Sequence, residues 1–276
     1  MRQASPFPRL HAARQRARLL VALLLSTCAL PAMAAPDWDI AGLKLGMTEA
    51  EVRAAFLAYN PKGKIFAQSL TSSYSDKVSN FRTPPFLSRM ELRVTDKAIH
   101  IPLYVWFSGT GAGGEPRAIA IVRHEANLAN PPAAAQFMQS LVAKYGQPTA
   151  ADSARTPYWE EPGKPSCIRV THGIANPFAL NLTYKSELSE GVDTLERRQQ
   201  GSGGGGTPVG MPADLTRCGA HLFYYGTNTD PTNTFTGVMI DVGAVVAATH
   251  AREAWVGQLE ADALRKRADQ GQVPRL

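Results

Sequence analysis

The first 35 residues constrain this chain more than any other stretch. Arg2, Arg9, Arg14, Arg16 and Arg18 make a basic leader with no acidic residue. An apolar run from Leu19 to Leu30 follows, Pro31 breaks it, and Ala32-Met33-Ala34 supplies a small-x-small cleavage site. This three-part layout is that of a secretory signal peptide. The apolar run is too short to cross a hydrocarbon layer of ~30 Å as a helix. The expectation is a signal peptide over 1–34, cleavage before Ala35, and a soluble, periplasmic mature chain. Leu25-Ser26-Thr27-Cys28 opens a second route, because it looks like a degenerate lipoprotein box. Acylation of Cys28 would tether the protein to a membrane. Thr27 fits such a box poorly, and the downstream site is the better one.

The leader also changes the charge argument. The chain has 29 basic and 23 acidic residues, and all five leader charges are Arg. Past residue 34 the balance is therefore 24 against 23. No basic footprint for nucleic acid remains. No second apolar stretch approaches the length of a transmembrane helix. The remaining 242 residues suffice for one large domain or two small ones. A hydrophobic content of 44% fits a globular chain.

With Cys28 removed, Cys167 and Cys218 are the only thiols. In an oxidising compartment they are most simply one disulfide. The alternative is a nominal zinc set with His172 and His221. The spacings from Cys167 to His172 and from Cys218 to His221 are five and three, both odd. In regular strands odd spacing sends side chains to opposite faces, whereas zinc needs four ligands converging at ~2.0–2.3 Å.

Thr48 followed by Glu51 is a capping box, flanked by Met47 and Val52 as a hydrophobic staple. A helix is expected from about Glu49 to Tyr59, where Asn60-Pro61 stops it. Two or three strands are expected between Lys64 and Val94, with Pro84-Pro85 as a break. Ile101, Leu103, Val105 and Phe107 alternate with Pro102, Tyr104 and Trp106, a period-two strand. Ala118 to His124 should pair with it as a hairpin. Asn130 and Pro131 open a second helix, with Phe137, Leu141 and Tyr145 on one face and Gly146 as its stop. Strands are expected at Pro157–Glu160, Cys167–His172, Phe178–Lys185, His221–Tyr225 and Phe235–Asp241. The segment 186–217 is Gly-rich and charged and reads as a loop. Asp241 can cap a last helix from about Val242 to Asp269.

The fold class that follows is α+β: antiparallel sheet with helices packed on one face and a long C-terminal helix. The order helix, strands, helix, strands, helix divides the mature chain into halves, 35–128 and 129–276. Two organisations stay open, a duplicated helix-plus-three-or-four-strand module and a single α+β domain.

Leu45-Gly46-Met47-Thr48 with Glu51-Val52 resembles the helix opening of small periplasmic modules of the BamE (SmpA/OmlA) and β-lactamase-inhibitor-protein type. Val142-Ala143-Lys144-Tyr145-Gly146-Gln147-Pro148, followed by Tyr158-Trp159, resembles the helix ending and aromatic strand of the same modules. The likeness covers roughly 30 of the 242 mature residues. It implies a helix-plus-antiparallel-sheet fold used for protein contacts, without catalysis.

No chemical motif carries further. Gly109-Thr110-Gly111-Ala112-Gly113-Gly114 has the letters of a dinucleotide fingerprint, but a strand follows where a helix is required. His124-Glu125 starts like a zincin helix, yet Leu128 stands where the second His belongs. No cofactor or metal is expected. Arg197-Arg198 and Arg265-Lys266-Arg267 read as solvated faces. Tyr104 and Trp106 project from the face opposite Leu103 and Val105, and Phe223-Tyr224-Tyr225 is a similar aromatic stretch. Either helices cover them or they form a contact surface. The functional expectation is an exported binding or accessory protein of the cell envelope that recognises a protein or peptide. The alternatives are an exported hydrolase and a structural accessory of a secretion or surface complex.

Overall fold

Thr48 and Glu51 close the predicted capping box. The Glu51 amide donates to Thr48 Oγ1 (3.2 Å) and the Thr48 amide to Glu51 Oε2 (2.8 Å). They start helix α1, Glu49–Tyr59, and Asn60 ends it in extended backbone. The computed structural model describes residues 36–96, 99–109, 114–151, 156–168, 178, 187–201, 211–226 and 230–270. The expected signal peptide, the expected strand after Phe178 and most of the expected strand from Cys167 to His172 lie outside the described residues. So do residues 110–113 of the Gly-rich tip and 202–210 of the second Gly-rich run.

Four strands follow α1: β1 (Lys64–Leu70), β2 (Ser73–Ser75), β3 (Asn80–Arg82) and β4 (Phe86–Asp96). The Pro84-Pro85 break separates the last two. Next come β5 (Ile99–Phe107) and β6 (Ala118–Glu125). Helix α2, Ala134–Tyr145, ends at Gly146, whose φ of 80° is open to glycine at little cost. β7 (Ala150–Ala151), β8 (Pro157–Glu160), helix α3 (Ser189–Gln199) and a 3-10 turn (Leu215–Arg217) lead to β9 (Ala220–Gly226) and β10 (Phe235–Asp241). Helix α4, Val242–Asp269, closes the described chain, capped by Asp241, whose side chain accepts the Ala244 amide at 2.8 Å.

Eight strands form one antiparallel sheet in the order β1-β4-β5-β6-β10-β9-β8-β7, and β2 with β3 makes a separate hairpin. The order is a mirror. α1 precedes a run of strands ending in β6, and α2 precedes a run ending in β10. β6 and β10 then pair at the centre, Val122 opposite Val238.

Both faces of the sheet are dry over its central strands, because side chains alternate along each strand and both faces are covered. Leu103, Val105, Ile121, Leu222 and Met239 belong to a core completed by Val52 and Phe56 of α1 and Leu141 of α2. Tyr104, Trp106, Val122, Phe223 and Val238 belong to the opposite core. It is completed by Val192 and Leu195 of α3 and by Val242, Val245 and Val246 of α4. The α+β class, the antiparallel sheet and the long last helix agree with the sequence reading. The expectation that helices cover one face does not hold, since α1 and α2 lie on one side and α3 and α4 on the other. A second difference is α3, which occupies part of the expected loop 186–217. Its two inward apolar residues, Val192 and Leu195, are spaced three apart and are too few to stand out in a polar sequence.

Helix α4 crosses the sheet. Its first turns pack among the strands at the centre, and Trp255 meets Phe86 of β4 edge-on at 6.3 Å. A helix of 28 residues is about 42 Å long. Five adjacent strands, β10 to β1, span only about 19 Å. The last turns of α4 pack against the β2–β3 hairpin, where Arg267 pairs with Asp76.

Candidate binding edge

The structure buries most of the aromatic residues that the sequence offered as a contact surface. Tyr104 and Trp106 are 2% exposed and Tyr224 is 5% exposed. Tyr225 is half-buried and packs against Phe223 at 5.3 Å. They form a core and not an open face, because helices on both sides of the sheet leave no bare sheet surface at these positions. Tyr224 sits under α2: its ring meets Phe137 edge-on at 6.2 Å, and its hydroxyl lies 2.8 Å from that of Tyr145. Tyr145 donates in turn to the Asp39 carbonyl oxygen at 2.8 Å. Burial raises the pKa of both phenols. Nearby, Arg123 is paired with Glu125 and held between the rings of Tyr59 and Phe235, 5.5 Å from each centroid. This cluster fastens α1 and α2 to the sheet.

Cys167 and Cys218 sit at disulfide distance, with Cα atoms 5.7 Å apart. Their sulfurs face each other, which leaves neither for the zinc set considered with His172 and His221. His221 is 1% exposed, and neither of its ring nitrogens has a hydrogen-bond partner among the described residues. Burial lowers its pKa to about 4. His124 Nδ1 lies 2.8 Å from Thr236 Oγ1. Beyond the Gly-rich tip comes strand β6, so the helix that a dinucleotide site requires is absent there. Among the described residues no cluster of His, Cys, Asp or Glu could hold a metal ion. No helix among them is long and apolar enough to cross a membrane.

The exposed apolar surface lies elsewhere. Leu57 (49% exposed), Phe66 (43%), Val78 (74%) and Phe81 (38%) are the large exposed hydrophobics among the described residues. All four fall within one stretch of chain, Leu57 on α1, Phe66 on β1, and Val78 and Phe81 on the β2–β3 hairpin. Phe66 is on β1, which pairs with β4 on one side and, among the described residues, has no strand of the sheet on the other. Five of the seven β1 residues are exposed. Ile65 and Ala67 share the face of Leu92 and Met90, while Lys64 and Phe66 share that of Arg93 and Glu91. The Arg93 guanidinium stacks on the Phe66 ring at 4.5 Å and grips the buried Glu91 through both of its oxygens, at 2.7 and 3.0 Å.

The β2–β3 hairpin extends this rim. Tyr74 and Phe81 stack at 5.4 Å. Asp76 shapes the turn by accepting the Val78 and Ser79 amides at 3.0 and 2.6 Å, and Arg267 of α4 donates to its other oxygen at 2.7 and 2.9 Å. The Ser79 amide and the Arg267 guanidinium together hold the Asp76 carboxyl below its ordinary pKa despite burial. Between hairpin and helix runs a groove of about 390 Å³, lined by Tyr74, Phe81, Leu259, Ala263 and Lys266.

The opposite rim is closed. β7 has two residues, and the chain around it caps β8. The Thr149 amide donates to the Tyr158 carbonyl oxygen at 2.9 Å, the Glu160 amide to Thr149 Oγ1 at 3.1 Å, and Trp159 Nε1 to the Gly146 carbonyl oxygen at 3.0 Å.

Sequence reasoning missed the open rim because it searched for aromatic clusters, and those are core. The usable signal was a strand with no acidic residue and no proline, bounded by Asn60-Pro61 and Ser72-Ser73. Compared with protein-family models, curated proteins and solved structures, the chain matches none of them.

Proposed function

We propose that this chain is an exported binding or accessory protein of the cell envelope, and that it recognises a protein or peptide by adding a strand at β1. Export rests on the leader, with its basic start, apolar run and Ala32-Met33-Ala34 site. The Cys167–Cys218 pair supports an oxidising compartment. The observation that carries the binding reading is the open seven-residue rim strand, with Phe66 exposed on it and Val78 and Phe81 on the adjoining hairpin. Soluble proteins guard long edges with proline, inward charge or a covering element. β1 carries Lys64 at its start and a register shift at Gln68/Ser69, and between them Ile65 to Gln68 offer alternate main-chain N–H and C=O groups to an extended partner, with the neighbouring pockets supplying selectivity. The likeness to helix-plus-sheet modules of protein-contact type points the same way.

Proline at adjacent positions of β1 tests the reading. In an antiparallel edge strand alternate amides point outward. Of Ala67→Pro and Gln68→Pro, one removes an outward amide and leaves the β4 ladder intact. That variant should keep its melting temperature and lose the partner that a photocrosslinker at Gln68 captures from envelope extract. A crosslinker at Glu160, on the closed rim, should capture nothing. Equal capture from both rims, or capture that survives both prolines, overturns strand addition. Hydrolysis of peptide, ester or glycan by purified protein, abolished by a single His→Ala change, would replace the binding reading with the hydrolase one.

A further inference from the structure

The charges around the open rim have a pattern of their own. From Lys62 to Arg93 the chain carries six cations, Lys62, Lys64, Lys77, Arg82, Arg89 and Arg93, against two acids, Asp76 and Glu91. Both acids are buried, 6% and 4% exposed, and each is already gripped by an arginine, Arg267 and Arg93. Lys62, Lys64, Lys77, Arg82 and Arg93 are exposed. The charge this region turns to solvent is therefore positive only, in a chain whose residues past the leader are nearly balanced. Helix α4 adds Lys266 beside the groove, and its Asp262, which also lines the groove, is paired with Arg265.

The positions matter as much as the sum. Lys62, Lys64 and Arg93 cluster where β1 begins, since Lys64 pairs with Arg93 across the ladder. Arg82 stands on β3, opposite Ser73, just past the end of β1 at Leu70. Between them the exposed residues are Phe66, Ala67, Gln68 and Ser69, with no charge. A strand laid along β1 would meet an uncharged middle flanked by cations at both ends.

From this arrangement we infer that the partner strand is acidic: an extended protein segment with apolar and small polar residues in its middle and Asp or Glu at both ends. The inference rests on strand addition at β1 and specifies what is added. Main-chain hydrogen bonds at the edge are indifferent to sequence, so selection falls to the flanking charges. A basic segment would place like charges together at both ends and be rejected.

The test uses three synthetic peptides that share one alternating core. They are Asp-Asp-Val-Thr-Val-Thr-Val-Asp-Asp, the same peptide with Asn for Asp, and the same with Lys for Asp. Binding to the purified mature chain is followed by fluorescence anisotropy. At low salt the acidic peptide should bind about tenfold more tightly than the Asn version, as expected for a few exposed ion pairs. The Lys version should bind weakest. Raising salt to about 0.5 M should erase the difference by screening. The double variant Lys64→Glu, Arg82→Glu should reverse the ranking of acidic and basic peptides while the far-ultraviolet spectrum and melting temperature stay unchanged. Equal, salt-insensitive binding of the acidic and Asn peptides overturns the charge inference and leaves strand addition standing. Failure of all three peptides overturns both. Binding to phosphatidylglycerol vesicles without binding to any peptide overturns the inference in favour of an anionic membrane surface.

Discussion

One rim of the sheet ends in β7, two residues long, with Trp159, Thr149 and Gly146 closing hydrogen bonds around it. The other ends in β1, seven residues long, with Phe66 exposed. Near the closed rim lie the Cys167–Cys218 pair and the core residue His221, whose ring nitrogens have no hydrogen-bond partner among the described residues. The open rim has neither, and its hairpin is held to α4 by the Asp76–Arg267 pair. The difference teaches that the two halves of a mirror-ordered sheet can divide their duties. The covalent restraint lies in one half, and accessible backbone and exposed apolar side chains lie in the other. Substitutions on the closed side should therefore move stability, and those on the open side should move binding.

The largest effect should come from the staple. Cys167 and Cys218 are 51 residues apart in sequence. Replacing both with Ser should cost about 4 kcal/mol on the loop-entropy model. Urea unfolding measures it, and a change near zero would remove the staple from the comparison.

Acid comes next. His221 is held neutral by burial, with a pKa of about 4 against an ordinary 6.5. Between those values the unfolded chain binds the extra proton. Stability from this group is thus fully present above pH 6.5 and declines as pH falls toward 4, by roughly 3 kcal/mol in all. Asp39 and Asp76 have lowered pKa values, so their contributions disappear only at more acidic pH, below 3.8. His221→Phe should flatten the slope between pH 6.5 and 4 in a series of unfolding curves. An unaltered slope would show that His221 is not the group responsible.

A smaller loss is expected at Gly243, in the first turn of α4. A Cβ there would fall 2.6 Å from the Cys218 carbonyl oxygen, with the Thr216 carbonyl oxygen also in its way. Backbone atoms cannot swing aside as a side chain can, so Gly243→Ala should cost about 2 kcal/mol by overpacking. A neutral result would mean that the 3-10 turn gives way.

Phe66→Ser should change stability least. It gives up the stacking of Arg93 on the ring, worth about 0.5–1 kcal/mol at an exposed site. Crosslinked capture through β1 should nevertheless drop sharply. A variant that loses stability and keeps capture would invert the division between the two rims.

Most local signals in the sequence survive translation into structure, although the expected Asn130-Pro131 helix start does not: α2 begins at Ala134 after Ala133, with no side-chain cap. The Thr48–Glu51 box starts α1 where expected, Gly146 stops α2, and Asp241 caps α4. Each depends on atoms a few residues apart, so the sequence carries the whole interaction. The alternation from Leu103 to Phe107 is a strand for the same reason. What alternation could not say was that Tyr104 and Trp106 also face a core, because two dry faces and one dry face with aromatic decoration read alike. Helix α3 was hidden because only Val192 and Leu195 face inward in a polar sequence, and Gly191 is there to let the Phe178 ring approach. That contact between distant positions has no local signature.

The candidate site was less legible still. Lys64–Leu70 reads as a strand, but nothing in those residues says that β1 ends the sheet. Its edge position follows from which strands β4, β5 and β6 choose as neighbours. The helix caps and the strand period were determined by the sequence alone, since each depends on neighbours in the chain. The pairing of β6 with β10, the covering of both faces, and the exposure of one rim were decided only by the tertiary structure. They depend on contacts between residues roughly a hundred positions apart, where burial is settled by every element competing for the same apolar surface.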